Sequence, residues 1–488
     1  MQSRKDQVQA HMFVMGRLVS GMLRQDPDAP ESPVGRTNRG LAWGIGLGVV
    51  LVLGFLLFGM ISPAGTKSWR TENALIVQKE TGTRYLYLDG RLRPVLNYAS
   101  ARLLSSGDPR TVTVSSASLR GEAHGTPVGI PGAPDALPAP GDLEKGAWQV
   151  CAVPAPAGTV RPAARTSLRI GFEAGGVFPG KGEGVLASGP DGHTYLLWSD
   201  HRLRIGGHGA LQALGWSGAP VTPVTAALLD SLPAGADLVA PEIDGRGTES
   251  GTVGGAPARV GQVFALSSPG TDRQYFLLEK AGLRPLTPLA AALVLGDERT
   301  ARESYRGAVP AALPLTAGEL TRRQAAGGDP AGPAGWPGTP PAVRPAAGTA
   351  PCAQIQPEGL APRVRLALVA EAGTAPVPAS GPGIAPACLP VEGIAVRPGG
   401  GALVQALGAG GGVRGTTTYL VTDVGVKYRL AEATAVDRLG LKGGHAQAVP
   451  SRLLDMLPTG PRLDVASAKG LVPPDGTGEL SLSGANCG

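Results

Sequence analysis

Aromatic residues are scarce in this sequence of 488 residues, at 4%, and charged residues reach only 17%. A nucleic-acid surface needs a dense Lys/Arg stripe with interleaved aromatic rings. No such stripe exists here, and the formal charge of +6 is spread thinly along the chain. Disorder does not follow from this scarcity, because disorder combines low hydrophobicity with high net charge. Hydrophobic residues make up 42% of the chain, chiefly Ala, Val and Leu.

Motifs that carry chemistry are missing as well. A phosphate-binding loop needs a Gly-rich turn followed by Lys and Ser/Thr at fixed spacing, so that backbone amides and the lysine cradle the phosphates. The nearest approach, Gly65-Thr66-Lys67-Ser68, lacks the first glycine. Gly410, Gly412 and Gly415 form a GxGxxG, but the following TTTYLVTD reads as a strand and not as a helix whose N-terminus would hold a pyrophosphate. The six histidines, His11, His124, His193, His201, His208 and His445, make no HExxH or comparable ligand set. His201 beside Asp200, with His208 nearby, is the grouping that folding could still assemble; turn and surface positions are the plainer expectation. No serine sits in a GxSxG elbow. The sequence therefore predicts no catalytic, cofactor-binding or metal site.

The strongest positive signal is residues 41–61, LAWGIGLGVVLVLGFLLFGMI, which carry no charge. A helix of that length spans roughly 31 Å, against a bilayer hydrocarbon core of about 30 Å. A cleaved signal peptide would place a shorter apolar region near a charged start, whereas about forty residues precede this one. The reading is a single-pass cell-membrane protein. Arg4, Lys5, Arg17, Arg24, Arg36 and Arg39 outnumber Lys67, Arg70 and Lys79 across the span, which predicts a cytoplasmic N-terminus and an extracytoplasmic C-terminal domain. Gly40, Gly44 and Gly48 recur on one helix face and would let a second helix approach closely. All four cysteines, Cys151, Cys352, Cys388 and Cys487, fall on the exported side, where disulfides persist. They are too far apart for a CxxC motif, and their three possible connectivities stay open at this point.

The chain thus divides into a cytoplasmic segment (1–40), the span (41–61), a linker (62–72) and an exported region (73–488), which exceeds what one core requires. In the first segment Val8, Met12, Met15, Val19 and Met22 alternate spacings of four and three, one stripe of an amphipathic helix. Ser3 and Asp6 suit its first turn, and Asp26-Pro27 ends it. A lone helix of about twenty residues is marginal in water, so the stripe needs a partner, and a protein fits better than lipid because Asp6, Gln7 and His11 dilute the basic face.

Four related segments follow around Tyr85, Tyr195, Tyr275 and Tyr419, each an aromatic-led strand, a turn, a second strand and a small Ala/Leu helix. They mark modules near 73–120, 185–240, 260–305 and 403–460. The second and fourth continue alike, with PVTAALLDSLPAG and VPSRLLDMLPTG, where Pro is expected to open and Gly to close a helix. Residues 124–146, 306–349 and 372–415 are rich in Ala, Gly and Pro without periodicity and read as long loops. The turn residues Asp89, Asp200, Lys280 and Asp423 are candidates for contact with wall glycans; their plainer role is to favour hairpin turns.

SRKDQVQAH leading to RQDP, then SPVGRTNRG, one span and repeats of the TYLVTD…LPTG kind resemble the EccB family, most specifically in residues 3–61 and 417–460. EccB is the single-pass membrane component of actinobacterial type VII (ESX) secretion machines. The resemblance implies an elongated α+β exported domain, with a central mixed α/β core and four small repeat modules in a pseudo-twofold arrangement, similar in fold to wall-binding modules of phage lysins. It implies a Cys151–Cys352 disulfide in that core. It also implies a structural role in an inner-membrane complex with EccC, EccD and EccE, a mycosin protease nearby and homo-oligomerisation within the complex, helping to export WXG100-type proteins. Two other expectations stand beside it. One is a peptidoglycan-binding anchor, and the other a weak exported ATPase, an activity attributed to the family for which no residues can be named here.

Overall fold

The computed structural model describes residues 4–24, 33–61 and 69–471, apart from 72, 106, 155–163, 173–174, 207–208, 326–328, 347, 371–374, 409–411, 413 and 443. Ser3, Asp26, Pro27, Gly65, Thr66, Lys67, Ser68, His208, Gly410 and Cys487 therefore lie outside the described residues. The chain forms two compact units, one of residues 1–91 and 111–123 and one of 92–110 and 124–488.

The first unit begins with helix α1 (Arg4–Arg24), with Asp6 in its first turn, where a carboxylate offsets unpaired N–H groups. Helix α2 (Pro33–Ile61) starts before the apolar run, with proline at its first position. Within it Thr37–Leu57 is long and apolar enough to cross a membrane, and none of that window is buried against the rest of the chain. Beyond it, Ala74–Gln78 and Arg84–Leu88 form an antiparallel hairpin with Leu75 opposite Leu86. Trp69 is fully buried, edge-on to the Tyr87 ring at 5.8 Å.

At the centre of the second unit is a five-stranded sheet ordered Arg363–Ala370, Thr349–Gln356, Trp148–Val153, Arg165–Ile170, Gly393–Val396. The first three junctions are antiparallel and the last is parallel. Two central neighbours come from chain segments about two hundred residues apart, with Cys352 opposite Cys151 and Ile355 opposite Trp148. One face carries Trp148, Val150, Ala152, Leu168, Ile170, Ala353, Ile355, Leu366 and Leu368 into the largest apolar core. Leu228 and Leu229 of helix Ala226–Ser231, and Leu453 and Leu454 of helix Ser451–Asp455, complete that core.

Three further sheets of this unit share one topology. The first strand pairs antiparallel with the second, the second with the third, and the fourth returns parallel to the first. Their first strands are Glu183–Ser188, Val263–Leu266 and Gly401–Leu407, and their fourth strands Val221–Pro223, Leu313–Leu315 and Gln447–Pro450. In each, the exposed edge of the third strand is blunted by short parallel bridges: Ile205 to Leu238, Leu286 to Ala331 and Leu430 to Leu463. An uncovered edge would be a template for unwanted strand pairing.

Several expectations change. The stretch 306–349, which its composition marks as loop, holds strand Leu313–Leu315 and helix Ala317–Arg323, whose Thr316 and Glu319 form a reciprocal capping box. The expected loop 372–415 likewise holds Gly393–Val396 and Gly401–Leu407. Both strands run beside a buried neighbour, and pairing supplies what composition does not. The helix in PVTAALLDSLPAG is opened by Thr225, which accepts from Leu228 N, while Pro223 ends a strand. The two glycines of LPAG and LPTG are not caps. A Cβ on Gly235 would stand 2.6 Å from Leu203, and one on Gly460 2.2 Å from Tyr428, so both glycines let the returning chain press onto a third strand.

Candidate functional site

The residues singled out on α1 stand open. Met12 is 70% and Met22 80% exposed, Val8 and Met15 are exposed as well, and Val19 is half-buried. Phe13, Val14 and Leu18 are exposed too, so the apolar surface is wider than the expected stripe. On α2 a Cβ added at Gly40, Gly44 or Gly48 would meet nothing within 4 Å. Large apolar side chains in water are costly, at roughly 25 cal/mol per Å² of apolar surface. These two helices therefore carry the largest uncommitted apolar surface among the described residues.

Cys151 and Cys352 form a disulfide between adjacent central strands and are 2% and 0% exposed. Cys388 is also disulfide-bonded, so no thiol among the described residues is available as a nucleophile.

The four turn residues are engaged locally. Asp89 has φ 51° beside Gly90 at 73°, the left-handed pair of a tight hairpin. His201 Nδ1 lies 2.6 Å from Asp200 Oδ1, with both side chains open to solvent. Lys280 Nζ donates to Asp244 Oδ2 at 2.8 Å, which holds the Asp244 carboxyl below its ordinary value. Gly399 N donates to Asp423 Oδ2 at 2.9 Å. Among the described residues no three His, Cys, Asp or Glu side chains come together in a way that could hold a metal ion.

Two clefts of the second unit are of a size to hold a small ligand. One, of about 480 Å³, lies between Gly206, Gly209 and the segment 296–302. Its arginines are already committed: Arg299 grips both oxygens of Glu242, at 2.9 and 3.2 Å, and Arg302 lies 4.0 Å from Glu298. A second, of about 570 Å³, is lined by Thr225, Asp230, Glu392 and Arg452. There Asp230 is shared by Arg202 and Arg452, each at 3.0 Å, and Glu392 Oε2 accepts from Thr166 N at 2.6 Å. Neither cleft sets a nucleophile against a base.

Two strands of the central sheet carry arginines with no carboxylate partner among the described residues, Arg165, Arg169 and Arg365, whereas Arg363 pairs with Glu358 at 2.9 Å. Arg363 and Arg365 occupy alternate positions of Arg363–Ala370, and Arg165 and Arg169 stand four residues apart on Arg165–Ile170, so each pair shares one face. Arginine at every second or fourth place against Leu and Val is a period-two signal, and it was available from the sequence.

The family model for type VII secretion system ESX-1, transport TM domain B, matches residues 1–474. Among similar proteins, the ESX-5 secretion system ATPase EccB5 of Mycobacterium tuberculosis is 28% identical over 304 residues, covering 60% of this chain and 58% of the relative. The ESX-2 secretion system ATPase EccB2 of the same species is 30% identical over 317 residues, covering 63% and 61%. The chain thus spans about three fifths of the length of these relatives. A chain in the structure of an intact ESX-5 inner membrane complex matches over 96% of this chain and 95% of its own length, with a TM-score of 0.63 at 23% identity. The EccB3 dimer from the ESX-3 core complex matches over 81% and 100%, with a TM-score of 0.61 at 24% identity. One membrane-spanning candidate helix followed by a mixed α/β domain is thus a shared fold, and by the match over residues 1–474 the chain belongs to the type VII secretion system transport TM domain B family.

Proposed function

We propose that this chain is a structural subunit of a type VII (ESX) inner-membrane complex, helping to assemble the channel through which ESX proteins leave the cell. The observation that carries the reading is the family match across residues 1–474, joined by a fold shared with a chain of the ESX-5 inner membrane complex. On the molecule itself, the exposed apolar surface of α1 supplies a docking helix through Val8, Met12, Met15, Val19 and Met22. Gly40, Gly44 and Gly48 supply a close-approach face for a neighbouring span. The partners in this reading are EccC, EccD, EccE and a mycosin protease, together with a second copy of the chain. The excess of Lys and Arg before the span supports a cytoplasmic N-terminus and an exported second unit. The shared strand order of the four-stranded sheets supports repeated copies of one module.

The test is the native mass and subunit content of the tagged protein, extracted gently in detergent from membranes of its own host. Co-recovery with the other ESX membrane subunits in one large assembly is the expected result; a free monomer or dimer overturns the reading. Met15→Asp places a charge in the exposed stripe of α1 and is expected to release partners while the exported domain stays folded.

A second reading, nucleotide hydrolysis, is favoured by the printed names of the relatives, which are called ATPases. It predicts ATP turnover that follows this protein through every purification step.

A further inference from the structure

The central sheet has a second face, opposite the large core, on which alternate residues of each strand lie. Across it runs one register row: Arg365 opposite Gln354, Gln354 opposite Gln149, Gln149 opposite Arg169. Partners in register share a face. Arg165 lies on the same face, four residues from Arg169 along its strand. With strands about 4.8 Å apart and a rise of about 3.4 Å per residue, Arg169 is roughly 14 Å from both Arg365 and Arg165.

Arg363 on this face pairs with Glu358 at 2.9 Å, but its other three arginines differ from most of the unit in what they lack. Arginines elsewhere in the unit are repeatedly tied to carboxylates, as in Arg202–Asp230, Arg204–Asp237, Arg246–Asp297, Arg259–Glu249 and Arg344–Glu183. Arg165, Arg169 and Arg365 have no carboxylate among the described residues. Two of them are held in place by rings: Arg169 lies over Phe172 at 4.5 Å and Arg365 over Phe178 at 4.1 Å. Burial pushes the Arg169 guanidinium below its ordinary value.

The uncommitted bonding capacity of the sheet is concentrated in the same place. Gln149 is 1% exposed, yet neither its amide nitrogen nor its amide oxygen has a partner, and Gln354 Oε1 and Arg165 Nε are also unpaired. A buried polar atom left unpaired is costly, so native structures keep few of them. Here four lie on one sheet face.

We propose that this face is a docking surface for an extended acidic segment of a partner protein that runs along the register row, its carboxylates pairing with Arg169 and Arg365. Guanidinium groups fixed on rings are pre-organised to grip carboxylates through two parallel bonds. The spacing of roughly 14 Å matches side chains four residues apart on an extended strand. A lipid surface fits less well, because apart from Val177 the apolar residues beside the row are buried or half-buried. This deepens the proposed role in a membrane complex and rests on it.

The test uses the full chain in non-ionic detergent with a fluorescein-labelled octaglutamate peptide as probe, read by anisotropy. We expect saturable binding that weakens about tenfold or more in Arg169→Gln/Arg365→Gln. Arg302→Gln/Arg306→Gln, which alters two arginines exposed elsewhere, should leave it unchanged. Arg169→Lys/Arg365→Lys keeps the charge without the fork and should fall between. Intact mass with the disulfide formed, and an unchanged melting temperature, show that each variant is folded. Absence of binding, or equal weakening by the control pair, overturns the proposal. Displacement of the peptide by phosphatidylglycerol doped into the micelles, through these same two arginines, would assign the face to lipid instead. Binding is read on the isolated chain, so its failure leaves recovery in the large complex untouched. Intact peptide binding without complex recovery would sink the subunit reading alone.

Discussion

Removing the Cys151–Cys352 bond offers the sharpest test of how the second unit is held together. The two cysteines are 201 residues apart in sequence but directly opposite on neighbouring strands. Closing a loop of that length in the unfolded chain corresponds to about 5 kcal/mol on the chain-entropy model, and measured bonds commonly give about 2 to 4 kcal/mol. Both side chains are buried on the apolar part of the sheet face, so Cys151→Ala/Cys352→Ala exchanges two small apolar groups for smaller ones and leaves strand register to the hydrogen bonds. Hydrogen exchange read by mass spectrometry on the full chain in detergent resolves the two strands separately from the rest. Amides of Trp148–Val153 and Thr349–Gln356 should exchange faster by a factor between about 30 and about 900, the equivalent of about 2 to 4 kcal/mol. Peptides from α1, which lies in the other unit, should not change. Unchanged exchange in the two strands would refute the idea that the bond staples distant halves of the chain, and would mean that the apolar core alone sets the stability of the sheet.

Lys427 is buried, and burial holds its ammonium below the ordinary 10.5, although Asp455 opposes the shift. A base with a lowered folded value holds its proton less tightly than in the unfolded chain, so stability rises with pH from that lowered value up to 10.5. The neighbouring Tyr428, raised to about 12 by burial from 10.0, works in the opposite sense but only above 10. Melting curves below pH 10 should therefore show the wild type gaining on Lys427→Met as pH increases, and parallel curves would count against a buried ammonium. Gly460→Ala forces a methyl group onto the Tyr428 ring and should cost about 1 to 3 kcal/mol in urea unfolding. The same change at Gly470, where nothing lies within 4 Å but φ is 73°, acts through backbone strain alone and separates the two causes. Thr316→Ala removes the capping box of Ala317–Arg323 and should lower stability by about 1 kcal/mol, with Thr316→Ser restoring most of it.

The sequence by itself determined those features whose cause is local. The span was legible because an uncharged run of that length has few other uses, and α1 because its apolar spacing is helical. The hairpins around Tyr195, Tyr275 and Tyr419 were legible because each combines aromatic-led alternation with a turn residue suited to a tight bend. Strands Leu313–Leu315, Gly393–Val396 and Gly401–Leu407 were not, because their Gly- and Pro-rich neighbourhoods carry no period, and only a buried partner strand makes them extended. Gly235 and Gly460 looked like helix ends, yet they are contact points, since a glycine's conformational freedom and its lack of a side chain leave the same mark on a sequence. Spacing left the cysteine connectivity open, with only the family resemblance pointing to Cys151–Cys352, and tertiary structure alone decided which residues share the second face of the central sheet. Arg169 and Arg365 are almost two hundred residues apart, and only the strand order sets them on either side of the two glutamines. Pairing of distant segments is governed by register and by what each face buries, and a linear sequence states neither until the chain has folded.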